Sequence, residues 1–452
     1  MPSKAWRIKG ASPAFGISPG SRRPTAVEGY ADQASVPAGR PVRIFVSTSA
    51  KHWRATAYRM GWYGGDQGAS VWHSGTQPGH RQAAPKAVGK THTPTAGWRS
   101  SLTISTVGWR PGAYLLRLDV PGHASYVPLT VRSTSTRGTL VLLAPDTTWQ
   151  AYNDWGGRNL YWGPRGKGDF ADRARAVTFD RPYVYGHGAG EYLSRMQPVV
   201  ALAEQLGLRL SYVDDVDLER DPHLLDGARG VISMGHDEYY SVKMRANLER
   251  ARDAGTNIAF LGANAVFRRI RLESTKIGPR RLEVNYKAAD EDPKSRTSPE
   301  QTTADWPAQP HPVDESSLTG EAYACFPGHG DLVVASPSSW LLAGTGLHKG
   351  DALPGALGPE FDAVTPGTPT PHPLDVVLRS PARCGSYSHA DATYYTTRSG
   401  AGVFDSGTMD WVAGLGGKHG ARTARLERAI TTTVLRGFAT DRVGRKHPAH
   451  GD

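Results

Sequence analysis

The chain has 452 residues, too many for one ordinary hydrophobic core, and its 38% hydrophobic and 21% charged content indicates a globular protein of two or three domains. Its 52 glycines and 33 prolines favour turns and short strands over a helical bundle. The net charge of +11 comes from dispersed Lys and Arg residues, which argues against nucleic acid as the main partner, and no apolar run is long enough to predict a membrane span.

Residues 1–25 contain five Lys or Arg residues and no acidic residue, which predicts a flexible basic arm. The segment lacks the apolar run of a signal peptide. A chain that began after a removed signal would look the same, so the compartment stays open between the cytoplasm and an exported location.

The segment 26–134 predicts an Ig-like β-sandwich, because short runs with alternating polarity follow one another and are separated by turn residues. Pro-Gly turns at 111–112 and 121–122 bound the last of these runs. The predicted strands are 40–48, 53–60, 101–107, 113–120 and 124–131.

The segment 135–440 predicts an α/β catalytic domain. Its strand and helix patterns alternate in the order expected of an open, mostly parallel sheet. Pro198 must either kink or begin the first helix, and Ser241 and Gly255 are the expected N-cap and C′ residues of the second. The predicted strands are 139–145, 208–213, 230–235 and 257–262, and the predicted helices are about 192–206 and 241–253.

Within this domain, residues 265–400 lack that regularity and predict a β-rich elaboration over the sheet. A closing helix is expected at about 422–438, followed by a loose tail at 441–452. The two cysteines, Cys325 and Cys384, would form a disulfide in an exported protein, while buried free thiols are equally consistent with a reducing compartment.

Polar and aromatic residues follow three of the predicted strands, at 146–163, 235–241 and 262–267. The carboxyl ends of parallel strands meet at one sheet edge, where ligands bind in such folds, so we expect a site there. In the run GHDEYYS, His236, Asp237 and Glu238 combine an acid/base with carboxylates that could ligate a metal. The structural alternative is helix capping, since acidic residues favour a first helical turn.

Three tyrosines in turn-rich stretches, Tyr152, Tyr161 and Tyr183, are candidate metal ligands, because phenolate oxygen suits a hard trivalent cation. Spacing does not decide which of them ligate, and most tyrosines are core residues with a hydrogen-bonded hydroxyl. The chain has no G-x-S-x-G elbow between a predicted strand and helix, and no H-E-x-x-H or Walker A motif. A zinc hydrolase that uses His236, Asp237 and another histidine remains an alternative.

Several long motifs in chain order resemble the N,N-dimethylformamidase large-subunit (beta-subunit) family from about residue 27 onwards. They are YRMGWYGG (58–65), TTWQAYNDWGGRNLY (147–161), FDRPY (179–183), DVDL (215–218), GHDEYYS (235–241) and FLGAN (260–264). The resemblance implies an Ig-like or sandwich domain joined to a sheet similar to class I glutamine amidotransferases. It also implies a mononuclear ferric ion held by two tyrosines and one glutamate.

By motif, the resemblance makes Glu238 the carboxylate ligand, Tyr152 the first tyrosine and Tyr183 the second, with Tyr161 as the alternative. It implies that four further residues serve the chemistry, and these are His236, Asn264, Lys287 and Glu360.

The function expected from the resemblance is hydrolysis of the C–N bond of a small-molecule, linear amide by an Fe(III) enzyme, with zinc as the alternative metal. The family's characterised enzyme has a small partner subunit, which this sequence does not show, and a homo-oligomer is one open state. The rival hypothesis is a non-catalytic, extracytoplasmic or cell-surface binding protein on the same fold, which the sandwich and 12 tryptophans would suit.

Overall fold

A computed structural model describes residues 26–451, so the predicted basic arm at 1–25 lies outside the described residues. The protein is of mixed α/β type, with more strand than helix. The strands are β1 (Val27–Ala31), β2 (Ser35–Pro37), β3 (Pro41–Thr48), β4 (His52–Tyr63), β5 (Asp66–His73), β6 (Gln77–Pro78), β7 (Lys86–Val88), β8 (Thr93–Thr95), β9 (Leu102–Ser105), β10 (Gly112–Val120), β11 (His123–Arg132), β12 (Leu140–Ala144), β13 (Ala176–Thr178), β14 (Leu210–Asp214), β15 (Gly230–Met234), β16 (Tyr239–Ser241), β17 (Asn257–Leu261), β18 (Arg268–Glu273), β19 (Leu282–Val284), β20 (Ala322–Cys325), β21 (Gly330–Val333), β22 (Ala352–Leu357), β23 (Phe361–Ala363), β24 (Leu374–Cys384), β25 (Tyr387–Thr396) and β26 (Gly402–Asp405).

The helices are short except for the last. They are α1 (Asp146–Tyr152), α2 (Gln197–Gln205), α3 (Asp215–Arg220), α4 (Val242–Asp253), α5 (Ser316–Thr319), α6 (Trp411–Leu415) and α7 (Ala421–Phe438). A π-helical turn over Tyr192–Met196 leads directly into α2. Short 3-10 turns lie at Tyr185–Gly188, Pro293–Arg296, Pro299–Gln301, Trp340–Leu342 and Val443–Arg445. Among the described residues, no helix is long and apolar enough to cross a membrane.

The N-terminal part contains two larger β-sheets, with strand orders β1-β3-β9 and β2-β11-β10-β4-β5, and the two-stranded sheet β7-β8. Successive side chains of β10 point to opposite faces of the sheet, as in any strand, and therefore pack into different hydrophobic cores. Leu116 and Leu118 pack with the three-stranded sheet, whereas Leu115 packs toward α2 and the larger core. The larger N-terminal sheet is therefore buried on both faces, between the smaller sheet and the rest of the protein.

The second part is built on a seven-stranded sheet with the order β14-β12-β15-β17-β26-β25-β24. Its first five strands are parallel, which confirms the predicted, mostly parallel sheet. Strands β12, β15 and β17 are fully buried because α2, α6 and α7 cover one face of the sheet and α3 and α4 cover the other.

The helix termini follow the local sequence signals. Pro198 lies in the first turn of α2 and therefore begins the helix instead of kinking it. Ser241 is the N-cap of α4 and accepts a hydrogen bond from the Met244 N–H at 3.1 Å. Gly255 has a φ of 107° just after the C-cap of α4, a conformation that favours glycine.

Two expectations for the C-terminal part need correction. Strands β24 and β25 of the predicted elaboration extend the central sheet by antiparallel pairing instead of lying over it. The described part of the tail is packed, because His447 stacks on Trp340 with ring centroids 4.5 Å apart and its carbonyl accepts from the Tyr394 hydroxyl. The tail contains few hydrophobic residues, so its sequence did not predict these contacts.

The two cysteines form a disulfide between β20 and β24, with Cα atoms 6.0 Å apart. The sequence left open whether they were paired. The bond closes a segment of 59 residues that includes β21, β22 and β23, and it fixes the base of β20 to the edge of the central sheet. A cross-link across a segment of this length restricts the unfolded chain strongly.

We predict that unreduced, denatured protein contains no titratable thiol. Replacing both cysteines (Cys325→Ser with Cys384→Ser) should lower the free energy of unfolding by about 2–4 kcal/mol, because the unfolded chain regains the conformations that the cross-link removes. Urea denaturation of the variant and of the reduced wild type measures this, and the two should agree. Two reactive thiols in the unreduced wild type would contradict the disulfide.

Candidate active site

The candidate site lies at the carboxyl edge of the parallel strands. Strand β12 leads into α1, which ends at Tyr152, and β15 leads into the turn that carries His236 and Glu238. The next strand, β17, leads to Asn264. The parallel direction of these strands brings three distant chain segments to one place, as the sequence analysis expected.

Three oxygen-bearing side chains form the centre of the site. The Tyr152 hydroxyl lies 2.7 Å from Oε2 of Glu238 and 2.6 Å from the Tyr161 hydroxyl. The Tyr161 hydroxyl lies 2.9 Å from Oε1 and 3.1 Å from Oε2 of the same carboxylate. Glu238 has no exposed surface, while the two tyrosines are half-buried.

The structure does not bring Tyr183, the first choice for the second tyrosine, into this cluster, and Tyr161 stands in its place. Tyr183 packs edge-on against Trp149, with ring centroids 6.2 Å apart. It lines a cavity of about 20 Å³ beside Asp146 and Gln150. The loop after α1 folds back so that the Leu160 N–H bonds the Ala151 carbonyl, which returns Tyr161 to α1 in a way that spacing alone does not show.

Tyr239, Lys287 and Arg268 surround the central oxygens. The Tyr239 hydroxyl donates to the Tyr161 oxygen at 2.8 Å, and Nζ of Lys287 donates to Tyr239 at 2.7 Å and lies 3.6 Å from the centre of the Tyr161 ring. Nε of Arg268 donates to Oε1 of Glu238 at 3.1 Å.

The sequence analysis named Lys287 but missed Tyr239 and Arg268 as site residues. Tyr239 lies inside the GHDEYYS run, and Arg268 follows the turn after β17, so both were beside the expected edge. The parallel pairing of β16 with β18 aligns them, since Tyr239 is the register partner of Arg268.

A second group of side chains lies beside the first and is suited to moving protons. Nε2 of the buried His236 lies 3.4 Å from Oε2 of Glu238 and 3.3 Å from Oε2 of Glu360, without the geometry of a hydrogen bond to either. Nδ2 of Asn264 donates to Oε2 of Glu360 at 2.8 Å, and its Oδ1 is buried without a partner. His236, Asn264 and Glu360 are thus brought together as expected.

The charges at the site oppose the effect of burial on Glu238. Burial by itself would raise the pKa of this carboxyl, but His236, Arg268 and Lys287 hold the pKa below its ordinary value. Burial raises the phenol pKa of Tyr152 and Tyr161, and the Glu238 charge raises both further. Glu238 is therefore ionised, and the phenols would lose their protons only to a strong positive charge.

Asp237 does not join this group. Its Oδ2 accepts hydrogen bonds from the Ser233 and Tyr240 hydroxyls, both at 2.7 Å, and burial raises its pKa to about 6. In the described range 26–451, no three His, Cys, Asp or Glu side chains are arranged to hold a metal ion. The zinc set of His236, Asp237 and another histidine is therefore not assembled there.

The backbone around the site is held by other side chains. Asn264 has a φ of 57°, in the left-handed region that asparagine tolerates better than most residues. Both carboxyl oxygens of Asp362 accept from the Asn264 N–H, at 2.8 and 3.0 Å. On the other side, the Thr148 hydroxyl accepts from the Glu238 N–H at 2.9 Å. Asp362 and Thr148 are further residues that the sequence analysis missed.

The donor set of Tyr152, Tyr161 and Glu238 fits a small, hard cation. Oxygen ligands suit such ions, and neighbouring oxygens held about 2.0–2.1 Å from an octahedral cation lie about 2.9 Å apart. The contacts between the three side chains, 2.6 to 3.1 Å, span that separation. Two phenolates and one carboxylate would also balance a trivalent charge.

A family model described as "N,N-dimethylformamidase beta subunit-like, C-terminal" matches residues 54–423. The match covers well over half of the chain, and the protein therefore belongs to this family, as the motifs had indicated. No curated protein matches the chain.

We predict that Asp362→Ala lowers the free energy of unfolding by about 1–3 kcal/mol, because it leaves the buried Asn264 N–H without an acceptor. Asp375→Ala is the matched control. Oδ1 of Asp375 also accepts from two backbone N–H groups, at 2.8 and 2.9 Å, but in exposed positions where water can replace it. Urea denaturation compares the two, and equal losses would contradict the anchoring role.

Proposed function

We propose that this member of the N,N-dimethylformamidase beta subunit-like family is a hydrolase of a small-molecule amide C–N bond that uses a mononuclear ferric ion. The observation that carries the proposal is the mutual contact of the Tyr152, Tyr161 and Glu238 oxygens beside the His236–Glu360 pair. We also propose that the N-terminal sheets are Ig-like and that the parallel sheet is similar to class I glutamine amidotransferases, as the family resemblance implies.

Tyr152, Tyr161 and Glu238 would hold the ion. A bound ferric ion would supply Lewis-acid chemistry, which polarises an amide carbonyl and lowers the pKa of water. The charge of Arg268 on Glu238 would limit how much electron density this ligand gives to the ion.

His236 and Glu360 are the proposed proton-transfer groups. Nε2 of His236 lies 3.3 Å from Oε2 of Glu360, so a small reorientation of either side chain would let the two share a proton. Because Glu360 also accepts from Asn264, one of its oxygens is held toward His236 and the site. The pair would take a proton from attacking water and later give one to the departing amine nitrogen.

Asn264 would orient the amide. Its Nδ2 is already used in the bond to Glu360, so the group that it can offer a substrate is the unpartnered Oδ1, an acceptor. An acceptor suits the N–H of an amide or of the departing amine, and not the developing oxyanion, which needs donors.

The entrance to the site limits the substrate. Tyr152 and Tyr161 form one half-buried side, and Phe267 and Tyr323, whose ring centroids lie 4.9 Å apart, form a second aromatic pair near Glu238 and Glu360. Aromatic walls with few polar groups suit a small amide whose polar atoms are all used at the centre.

We predict that Tyr161→Phe lowers the iron affinity by at least about 10–100-fold, the loss typical even for residues that only support a metal ligand, and weakens the tyrosinate charge-transfer band. Tyr183→Phe is the matched control and should leave both unchanged. Element analysis of purified protein also identifies the metal and so tests zinc directly. Wild-type protein with less than about a tenth of an iron per chain would overturn the ferric site.

We predict that Glu360→Gln reduces turnover by about 10²-fold or more while iron content stays at the wild-type level, because the variant loses a proton-transfer group and no ligand. A screen of formamides and larger linear amides measures turnover, and Glu273→Gln, at an exposed position, is the control. Full activity of Glu360→Gln would contradict its role. Iron-loaded wild type that hydrolyses no amide would favour a binding protein.

A further inference from the structure

The run FDRPY contains a buried arginine, Arg181, two of whose hydrogen bonds reach the segment between the two tyrosines of the site. Arg181 has no exposed surface. Its Nη1 donates to the carbonyls of Trp155 and Arg158, at 2.9 and 3.0 Å, and its Nη2 donates to the Gln150 carbonyl at 2.9 Å. Its Nε lies 3.2 Å from both Oε1 of Gln150 and the Thr178 carbonyl.

Neutral oxygens accept all of these hydrogen bonds. A buried guanidinium is normally balanced by a carboxylate, because removing a charge from water is costly. Here the adjacent Asp180 is hydrogen-bonded to Arg281 instead, with Nε and Oδ1 2.5 Å apart. The nearby charges of Asp154 and Glu283 offset only part of the effect of burial, which lowers the pKa of Arg181 to about 10. Burying the charge of Arg181 is costly, and its donors bind carbonyls of the loop that follows α1. These two facts indicate that Arg181 serves to hold this loop.

The centre of the loop has little support from its own sequence. Gly156 and Gly157 have φ values of 83° and 75°, which glycine adopts without cost, and neither has a side chain to fix the turn. The ends of the loop are held locally, since Oδ1 of Asn153 accepts from the Trp155 N–H and Nδ2 of Asn159 donates to the Tyr152 carbonyl. The two carbonyls that Arg181 binds through Nη1, those of Trp155 and Arg158, lie on either side of this Gly-Gly turn.

Other contacts run between the same two segments. Nδ2 of Asn153 donates to the Pro182 carbonyl at 2.8 Å, and Oδ1 of Asn153 accepts from the Val184 N–H at 3.1 Å. The Tyr185 hydroxyl donates to the Tyr152 carbonyl at 3.1 Å. The segment from Thr178 to Tyr185 is thus a support against which α1 and the following loop are built.

We infer that Arg181 is a positioning residue for the metal-binding site: by fixing the Gly-Gly turn, it sets the distance between the hydroxyls of Tyr152 and Tyr161. That the two tyrosines bind iron rests on the proposed function, whereas the effect of Arg181 on the loop does not. FDRPY then contributes its arginine to the site, and not the tyrosine that the sequence analysis chose from the same run.

The test compares Arg181→Lys with Arg245→Lys. Lysine keeps the charge but lacks the planar fork of donors that binds several carbonyls at once. Arg245 is the matched control, because it is equally buried and also donates to loop carbonyls, those of Val313 and Asp314, at 2.8 and 2.7 Å. Gln150→Leu is a milder variant that removes one acceptor of Nε together with the 3.3 Å contact to Nδ2 of Asn153, and it serves if Arg181→Lys does not fold.

The first readout needs no metal. Hydrogen exchange of the metal-free full chain should be at least ten times faster for the amides of residues 153–162 in Arg181→Lys than in wild type, and unchanged in α7. In Arg245→Lys the amides of 153–162 should exchange as in wild type. Gln150→Leu should give a smaller increase in the same segment. Unchanged exchange of this segment in Arg181→Lys or, if that variant does not fold, in Gln150→Leu would overturn the inference.

The second readout uses iron. In competition with a chelator, Arg181→Lys should bind iron at least tenfold more weakly and shift the tyrosinate absorption band, while Arg245→Lys should match wild type in both. Equal weakening in both variants, or a wild-type band in Arg181→Lys, would overturn the inference. If wild type binds no iron, the proposed function fails, and the exchange data alone decide whether Arg181 holds the loop.

Discussion

The site depends on the burial of one negative charge. The carboxylate of Glu238 has no contact with water, so protein groups must replace its hydration. They do so from several sides: the Tyr152 and Tyr161 hydroxyls, Nε of Arg268 and the imidazole of His236 all lie within 3.4 Å of its oxygens. Every group that the proposed chemistry needs is in contact with this carboxylate or with one of its neighbours.

The fold meets this requirement by bringing many segments to the edge of one sheet. The parallel strands supply the ends of β12, β15 and β17, and the small sheet β13-β19-β18-β16 supplies Arg268 and, just after β19, Lys287. Asn264 and Lys287 both have positive φ values, 57° and 62°, so the chain accepts locally unfavourable conformations where it enters the site. Such strain is tolerated where surrounding contacts hold it, as Asp362 holds Asn264.

The N-terminal sheets also contribute to the site, although none of their residues belongs to it. Oε2 of Glu28 in β1 accepts from the Trp155 indole at 2.9 Å, and Trp98 packs edge-on against the same ring at 5.6 Å. Trp155 lies in the loop that Arg181 binds, so the loop between the two tyrosines is held from both parts of the chain.

The sequence by itself determined the parallel sheet, because continuous apolar runs and capped helices are local patterns that few other folds can bury. It also determined the sheet edge and four of its polar residues, His236, Glu238, Asn264 and Glu360, through motifs of the family. Only the tertiary structure showed that Tyr161, and not Tyr183, lies against Glu238, because a Gly-Gly turn has no local preference and the course of the loop depends on long-range contacts such as those of Arg181. Arg268, Tyr239 and Asp362 could not be predicted for the same reason. The pairing of β16 with β18 aligns Tyr239 with Arg268, which donates to Glu238. Asp362 is distant in sequence from Asn264, from whose N–H it accepts a hydrogen bond.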